Sequence, residues 1–398
     1  MTTDAQSSGP LAGVRVLDLT RLLPGPMCTS YFADLGADVI KIEDTAAGDY
    51  GRTLGTRGVA TFFGAINRNK RSLAINLKDE AGHAAFLTLA RHAHIVVESF
   101  RPGVMVALGL GYDDIARVNP RIIYASITGY GQDGPRAAAA GHDINYLGYA
   151  GVLEQTGTRN GAPALSNLQI ADLLGGAAVP ALAILGALYG AQKSGRGRYL
   201  DVAMADAVLA HSVFALQALT ERGGTAARGD DVLTGALPCY GVYATQDGRH
   251  VAVGALEEKF WHLLCTTLGR DDLIPHGRAT SAAGAHARAE LSAIFKAAPL
   301  AHWIERFEHV DCCVTPVATL SEALSDPQFM ARGMIVDGAD GTQSFGSPFK
   351  LSDSGPRLRE EAPAQGEHSA EVLREAGYDD AAIAALVASG VVRISAPA

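Results

Sequence analysis

Short apolar runs and longer amphipathic runs alternate through the first 130 residues. VRVLDL (14–19), DVIKIE (38–43), SLAINL (72–77), HIVVESF (94–100) and RIIYASITGY (121–130) read as strands. They are brief and rich in β-branched residues, and several are apolar almost throughout, as strands buried on both faces are. Between them, MCTSYFADLGA (27–37) and EAGHAAFLTLARHA (80–93) carry apolar residues at helical spacing. Strand and helix in alternation predict an α/β layer built on a largely parallel sheet.

Further on, the period stays helical through about 143–156 and 170–193, and RYLDVAMAD (198–206) reads as a strand entering a helix that runs to about Leu219. A Gly-, Thr- and Asp-rich stretch at 222–235 reads as a linker or mobile loop. Beyond it the pattern changes. CYGVYAT and HVAVGAL flank QDGR, and Asp-Gly between alternating runs predicts a hairpin. Helices are expected at about 257–268, 285–297 and 300–308, then a pair at 369–376 and 380–389. This predicts a large α/β domain over 1–225, a small α+β domain with linkers over 226–330, and a return of 331–398 to the large domain.

Leu173 to Ala191 contains 19 residues without a charge, which is long enough to span a bilayer. Asp172 at its start, Pro180 within it and four glycines argue instead for a closely packed buried helix. No second such run follows, and no membrane partner is expected. The first nine residues have no apolar period and are expected to fray. They also lack the basic and apolar regions of a secretory signal. The closing SAPA is not a peroxisomal address. Five scattered cysteines, with no CxxC pair and no His/Cys zinc spacing, suit reduced thiols in a cytoplasm and give no metal site. A formal net charge of −9 speaks against nucleic-acid binding, though not against an anionic ligand held by a local cationic patch.

Two sets of residues look chemical. In NRNKRS (67–72), Arg68, Lys70 and Arg71 place three cations within four residues at the mouth of a strand. They are either a solvated loop or a phosphate clamp, to which Lys78 and the Arg101 of SFRPGV could add. The second set is the polar patch Gly141-His142-Asp143-Ile144-Asn145, followed by Asp172 at the start of the apolar helix and, much later, Glu257 at the end of HVAVGAL. Asp172 is either a helix N-cap or a ligand-facing carboxylate, His142 a loop histidine or a base, and Glu257 a helix-start carboxylate or a catalytic partner. No GxGxxG or P-loop follows the first strand, and no G-x-S-x-G elbow occurs.

Taken in order, LAGVRVLDLTRLLPGPMCTSYFADLGADVIKIE, NRNKRSLAINLK, ESFRPGVMVALGLGYDDIARVNPRIIYASITGYGQDGP, AGHDINYLGYAGVL, LQIADLLGGA and YATQDGRHVAVGALEEKFW resemble the family III CoA-transferases (CaiB/BaiF), and among them the α-methylacyl-CoA racemases. The resemblance implies a Rossmann-like large domain with a smaller α+β domain. It also implies an interlocked homodimer whose sites lie between the large domain of one chain and the small domain of the other. CoA is then the carrier of the substrate, and no prosthetic group is implied. Transferases of the family use the carboxylate matching Asp172 as a nucleophile that forms a mixed anhydride with the acyl group. Racemases pair it with the histidine of a GHD motif and exchange a proton at the carbon beside the thioester carbonyl. Gly141-His142-Asp143 is the racemase form, so the resemblance implies a two-base site with Glu257 orienting His142. The enolate would be stabilised by backbone N–H groups near the glycines and the start of the Asp172 helix. Matching positions imply CoA contacts from Ile75, Lys78, Ser99, Phe100, Arg101 and Val104, with Gly141, Asp143 and Tyr146 near the thioester. Where some racemases carry an arginine after the second strand, this chain reads IEDT, and its loop 44–66 is long. Phosphate recognition there would then differ, with Arg68, Lys70 or Arg71 taking part.

Overall fold

The computed structural model describes residues 9–54, 61–337, 343–352 and 361–395. The first eight residues, expected to fray, lie outside it, as do 55–60 of the long loop and 353–360 and 396–398 near the C-terminus. The chain divides into two compact units, residues 1–150, 166–211 and 331–398 in one, residues 151–165 and 212–330 in the other.

The first unit is a seven-stranded sheet. Its strands are β1 (Arg15–Leu19), β2 (Asp38–Glu43), β3 (Arg71–Ile75), β4 (Ile95–Glu98), β5 (Ile123–Thr128) and β6 (Arg198–Ala203), with Val392–Arg393 closing one edge. The spatial order is closing strand, β3, β2, β1, β4, β5, β6, and every pair is parallel except the antiparallel closing strand. This is the doubly wound order of nucleotide-binding folds, reached without their glycine motif. The chain reverses direction between β1 and β4, and the crevice beyond their carboxyl ends is where such sheets bind ligands.

Both faces of the sheet are covered. On one, Val96 and Tyr124 pack against α2 (Glu80–Ala90), α3 (Tyr112–Val118) and the C-terminal helices Ser369–Glu375 and Asp380–Ala388. On the other, Val97, Ile123 and Ala125 meet α1 (Pro24–Asp34) and a long helix. A short helix, α4 (Asp143–Tyr149), precedes that long helix, α5 (Ala171–Ser194). The buried residues Ala177, Ala181, Ile184, Leu188 and Ala191 recur at helical spacing along α5 and form its inner stripe. Long and apolar enough to cross a membrane by length and composition, α5 has half of its most apolar stretch buried in the protein. Pro180 does not interrupt it. The first eight residues, Ala171–Ala178, form a π-helical segment, and the wider turn accommodates the proline ring and its missing donor just beyond. Gly175 and Gly176 permit close approach: a Cβ on Gly176 would lie 2.3 Å from Cβ of Pro24 in α1, and one on Gly175 2.7 Å from the Met204 carbonyl oxygen at the start of α6 (Met204–Ala210).

In the second unit, β7 (Tyr240–Ala244) and β8 (His250–Gly254) form the hairpin across Asp247-Gly248, and β9 (Val314–Pro316) pairs with β8. Gly248 takes φ +77°, which the turn requires. Tyr243, Trp261, Phe295, Trp303 and Phe307 fill the core beneath α7 (Glu258–Leu268) and its neighbours. The Gly-rich stretch 222–235 is pinned rather than loose. Arg228 donates to the carbonyls of Glu154 and Gly161, Arg159 pairs with Asp230, and Arg222 with Asp231.

Candidate active site

A cavity of about 640 Å³ opens in the first unit at the carboxyl ends of β1, β4 and β5. Its wall brings together Arg21, Tyr50, Ser99, Phe100, Arg101, Gly141, His142, Tyr146 and Asp172. The turns after β1 and β4 are tied across the switch point, where the Arg21 N–H donates to Ser99 Oγ at 3.2 Å. The Arg21 guanidinium lies 5.0 Å from the Phe100 ring centroid and 5.2 Å from that of Tyr50. Leu22, next to it, holds a left-handed φ of 63°, a costly conformation for a branched residue, while its N–H donates to Asp49 Oδ1.

The motif Gly141-His142-Asp143 is built around Tyr146. The tyrosine hydroxyl donates to the Gly141 carbonyl at 2.5 Å. A Cβ on Gly141 would sit 2.7 Å from the Tyr146 ring, and one on Gly129 2.3 Å, so glycine is required at both positions. The His142 N–H donates to Asn145 Oδ1 at 3.0 Å, which fixes the entry into α4 and accounts for the asparagine in the polar patch. Asp143 turns the other way. Its Oδ1 accepts the N–H of Ala171 at 2.7 Å and of Asp172 at 3.1 Å, capping α5 from a neighbouring helix. Asp172 is therefore not the cap of its own helix, and its carboxyl faces the cavity. Burial first, and the Asp143 charge second, push it up to about 6, against the opposing pull of His142. Burial, then the Asp172 charge, also raises the Tyr146 phenol to about 12.

Several expectations need correction. Arg68, Lys70 and Arg71 form no free phosphate clamp, because each is already paired with carboxylates of the fold. Lys70 is 0% exposed and donates to Asp18, Thr29, Asn67 and the Pro26 carbonyl. Burial alone would raise the Asp18 carboxyl, yet Lys70 and Lys41 outweigh it and hold the group at about 2. Arg68 pairs with Asp34, and Arg71 with Asp38, Glu371 and Glu375. Ile75 is 1% exposed within the sheet core, so its side chain meets no ligand. Lys78 and Val104 are exposed and lie off the cavity wall, and Asp143 acts as a cap rather than a ligand contact. The N–H groups of Ala171, Asp172 and Leu173 are already bonded, to Asp143 twice and to the Gln169 carbonyl, and so are not free for an enolate. Glu257 lies in the second unit, exposed at the N-cap of α7 with no side-chain cap bond.

Arg21 and Tyr50 escaped the sequence reading. The signal for Arg21 was its place just past β1, where a doubly wound sheet opens; the signal for Tyr50, a lone tyrosine in a long loop, was weak. Among the described residues no group of three or more His, Cys, Asp or Glu side chains could hold a metal ion.

Comparison with known proteins agrees with this architecture. Residues 11–369 match the model of CoA-transferase family III. The mouse α-methylacyl-CoA racemase is 34% identical, covering 96% of this chain and 97% of its own. The human succinyl-CoA:glutarate CoA-transferase is also 34% identical, covering 98% and 91%, as is the acetyl-CoA:oxalate CoA-transferase of Acetobacter aceti, covering 94% and 97%. The crystal structure of a CaiB/BaiF family protein from Brucella suis superimposes with a TM-score of 0.81 at 30% identity, covering 92% of this chain and 99% of that one. Fold, cavity and sequence agree: the chain is an enzyme belonging to CoA-transferase family III.

Proposed function

We infer that the protein interconverts (R)- and (S)-2-methylacyl-CoA thioesters by two-base proton exchange. The observation that carries this reading is the pairing of His142 with a carboxyl at about 6, Asp172, on the wall of one cavity. Inverting a carbon requires a proton to leave one face and another to arrive at the opposite face. A neutral His142 takes the α-proton and leaves a thioester enolate; the Asp172 carboxylic acid then returns a proton to the other face. The reverse direction uses the Asp172 carboxylate as base and the His142 imidazolium as acid. A carboxyl near its usual value would be almost fully ionised at neutral pH, and burial keeps a usable protonated fraction.

CoA is the carrier of the substrate in this reading, with no prosthetic group. Its thioester end would reach Gly141 and Tyr146, while Ser99, Phe100, Arg101 and Arg21 would follow the pantetheine and phosphates. Glu257, with its free exposed carboxylate, would orient His142 from a second chain. Exposed apolar side chains support such a homodimer: Leu182, 74% exposed, with Tyr189 and Leu209 in the first unit, and Val213, Phe214, Leu216 and Leu219 in the second. All five cysteines are free thiols, which suits the cytoplasm.

The rival reading, transfer of CoA between carboxylic acids through an anhydride at Asp172, draws on the transferases that match this chain as well as the racemase does. One experiment separates them. The protein is incubated in deuterated water with one epimer of a 2-methylacyl-CoA and no acceptor acid. Epimerisation with deuterium at the α-carbon, lost in His142→Ala and Asp172→Ala, is expected. No exchange, together with CoA transfer once an acceptor acid is added, would overturn the racemase reading.

A further inference from the structure

Beside the catalytic cavity the first unit holds a second cavity of about 510 Å³, and Arg101 lines both. Glu98, the last residue of β4, lines this second cavity but not the first, and is 4% exposed. Its Oε2 accepts the Phe100 N–H at 2.8 Å, and the Ser126 hydroxyl bonds the same carboxyl. A buried carboxyl at the end of a sheet strand is costly where an apolar residue could pack. Here it satisfies the first turn beyond the strand, and that turn is the wall of the catalytic cavity: Ser99 takes the Arg21 N–H, Phe100 lies beneath the Arg21 guanidinium, and Gly103 closes the turn with φ +85°.

We propose that Glu98 is a positioning residue for acyl-CoA binding, its carboxylate holding the Ser99–Gly103 turn, through the Phe100 N–H, in the shape that grips CoA. The inference rests on the CoA reading given above. Glu98 touches neither the catalytic cavity nor the reacting carbon; it acts through Phe100.

The surroundings of Glu98 make this grip depend on pH. Asp201 of β6 stands near it, with Tyr124 of β5 and Tyr199 of β6. Across the second cavity α3 presents Tyr112, Asp113, Asp114 and Arg117, and Arg117 pairs with Asp114. Arg101 comes from the turn itself. Burial first, then Asp201, outweigh the bonds from Ser126 and Phe100 and push the carboxyl up to about 7. Above that pH the carboxylate is the stronger acceptor. Below it the neutral acid holds the turn less firmly, and CoA binding weakens.

The test measures the Kd of free CoA by calorimetry from pH 6 to pH 8.5, and kcat at saturating thioester, for the wild type, Glu98→Gln and Glu98→Ala. The CoA phosphomonoester itself titrates near pH 6, so the comparison between variants isolates Glu98. The wild type is expected to lose about fivefold more affinity between pH 8 and pH 6 than Glu98→Gln, whose amide oxygen still accepts the Phe100 N–H at every pH. Glu98→Ala should bind weakly throughout, with kcat little changed in both variants. Equal slopes for the wild type and Glu98→Gln would overturn the proposal, and Glu98→Gln keeps the test valid if Glu98→Ala does not fold. Wild type that binds no CoA at any pH would instead overturn the CoA reading on which the proposal rests.

Discussion

Asp143 caps the helix that carries Asp172, its Oδ1 accepting the N–H of Ala171 at 2.7 Å and of Asp172 at 3.1 Å. A capping carboxylate normally belongs to the helix it caps. Here the task is moved to the residue after the candidate base His142, so the two halves of the proposed two-base site share one hydrogen-bonded link. Asp143→Asn keeps an acceptor and removes the charge that helps raise Asp172. The Asp172 titration should then move to lower pH, and the rate in the direction that needs its protonated form should fall several-fold at pH 7. Asp143→Ala also loses the cap, at about 1 kcal/mol. Directional rate–pH profiles and thermal unfolding check both.

The raised Asp172 carboxyl has a signed consequence for activity. Turnover in which Asp172 donates should decline as pH rises through about 6, and turnover in which it accepts should decline as pH falls through the same value. Starting from each pure epimer and following initial rates between pH 5 and pH 8 separates the limbs. Two profiles without a limb near 6 would contradict the assignment.

Stability carries the same sign. A carboxyl raised in the folded state binds its proton more tightly there than when unfolded, so stability falls as pH rises from about 4 to about 6 and stays lower above. Asp172→Asn should therefore abolish catalysis and yet stabilise the protein at pH 8, by about 1–2 kcal/mol once partial exposure is discounted, with no gain at pH 4. Melting temperatures at the two pH values test it.

The cations divide into two groups with opposite phenotypes. Arg21→Ala should raise KM for the acyl-CoA about tenfold with little change in kcat, since Arg21 faces the cavity. Lys70→Ala removes the ion-pair partner of the buried Asp18 and should cost about 3–5 kcal/mol of stability. Steady-state kinetics read the first and denaturant unfolding the second. A large KM effect in a stable Lys70→Ala protein would restore the phosphate clamp.

Gly176→Ala tests how tightly the site is assembled. The new methyl would lie 2.3 Å from Cβ of Pro24, so α5 or the start of α1 must move. A loss of about 1–3 kcal/mol, with a fall in kcat/KM greater than in the open Gly186→Ala control, is the expected result.

The alternation of strand and helix was legible in the residues themselves. Buried parallel strands such as β4 are short, largely apolar runs, and the Asp-Gly hairpin of β7 and β8 is specified by its own turn chemistry. Both depend on neighbours in sequence. The GHD motif and the apolar helix behind Asp172 could also be located in one dimension. What only the tertiary structure decided is which polar groups face which way. Arg68, Lys70 and Arg71 read as an exposed cationic run, yet their partners Asp34, Asp18 and Asp38 lie 33 to 52 positions away and become neighbours only when α1 packs and β1, β2 and β3 align. Asp172 reads as a cap until Asp143, nearly thirty residues earlier, takes that place. A charge at a strand end has the same sequence signature whether it meets solvent, a ligand or a buried counter-charge. The difference lies in desolvation and pairing, and those are set by residues that the fold, not the chain, makes adjacent.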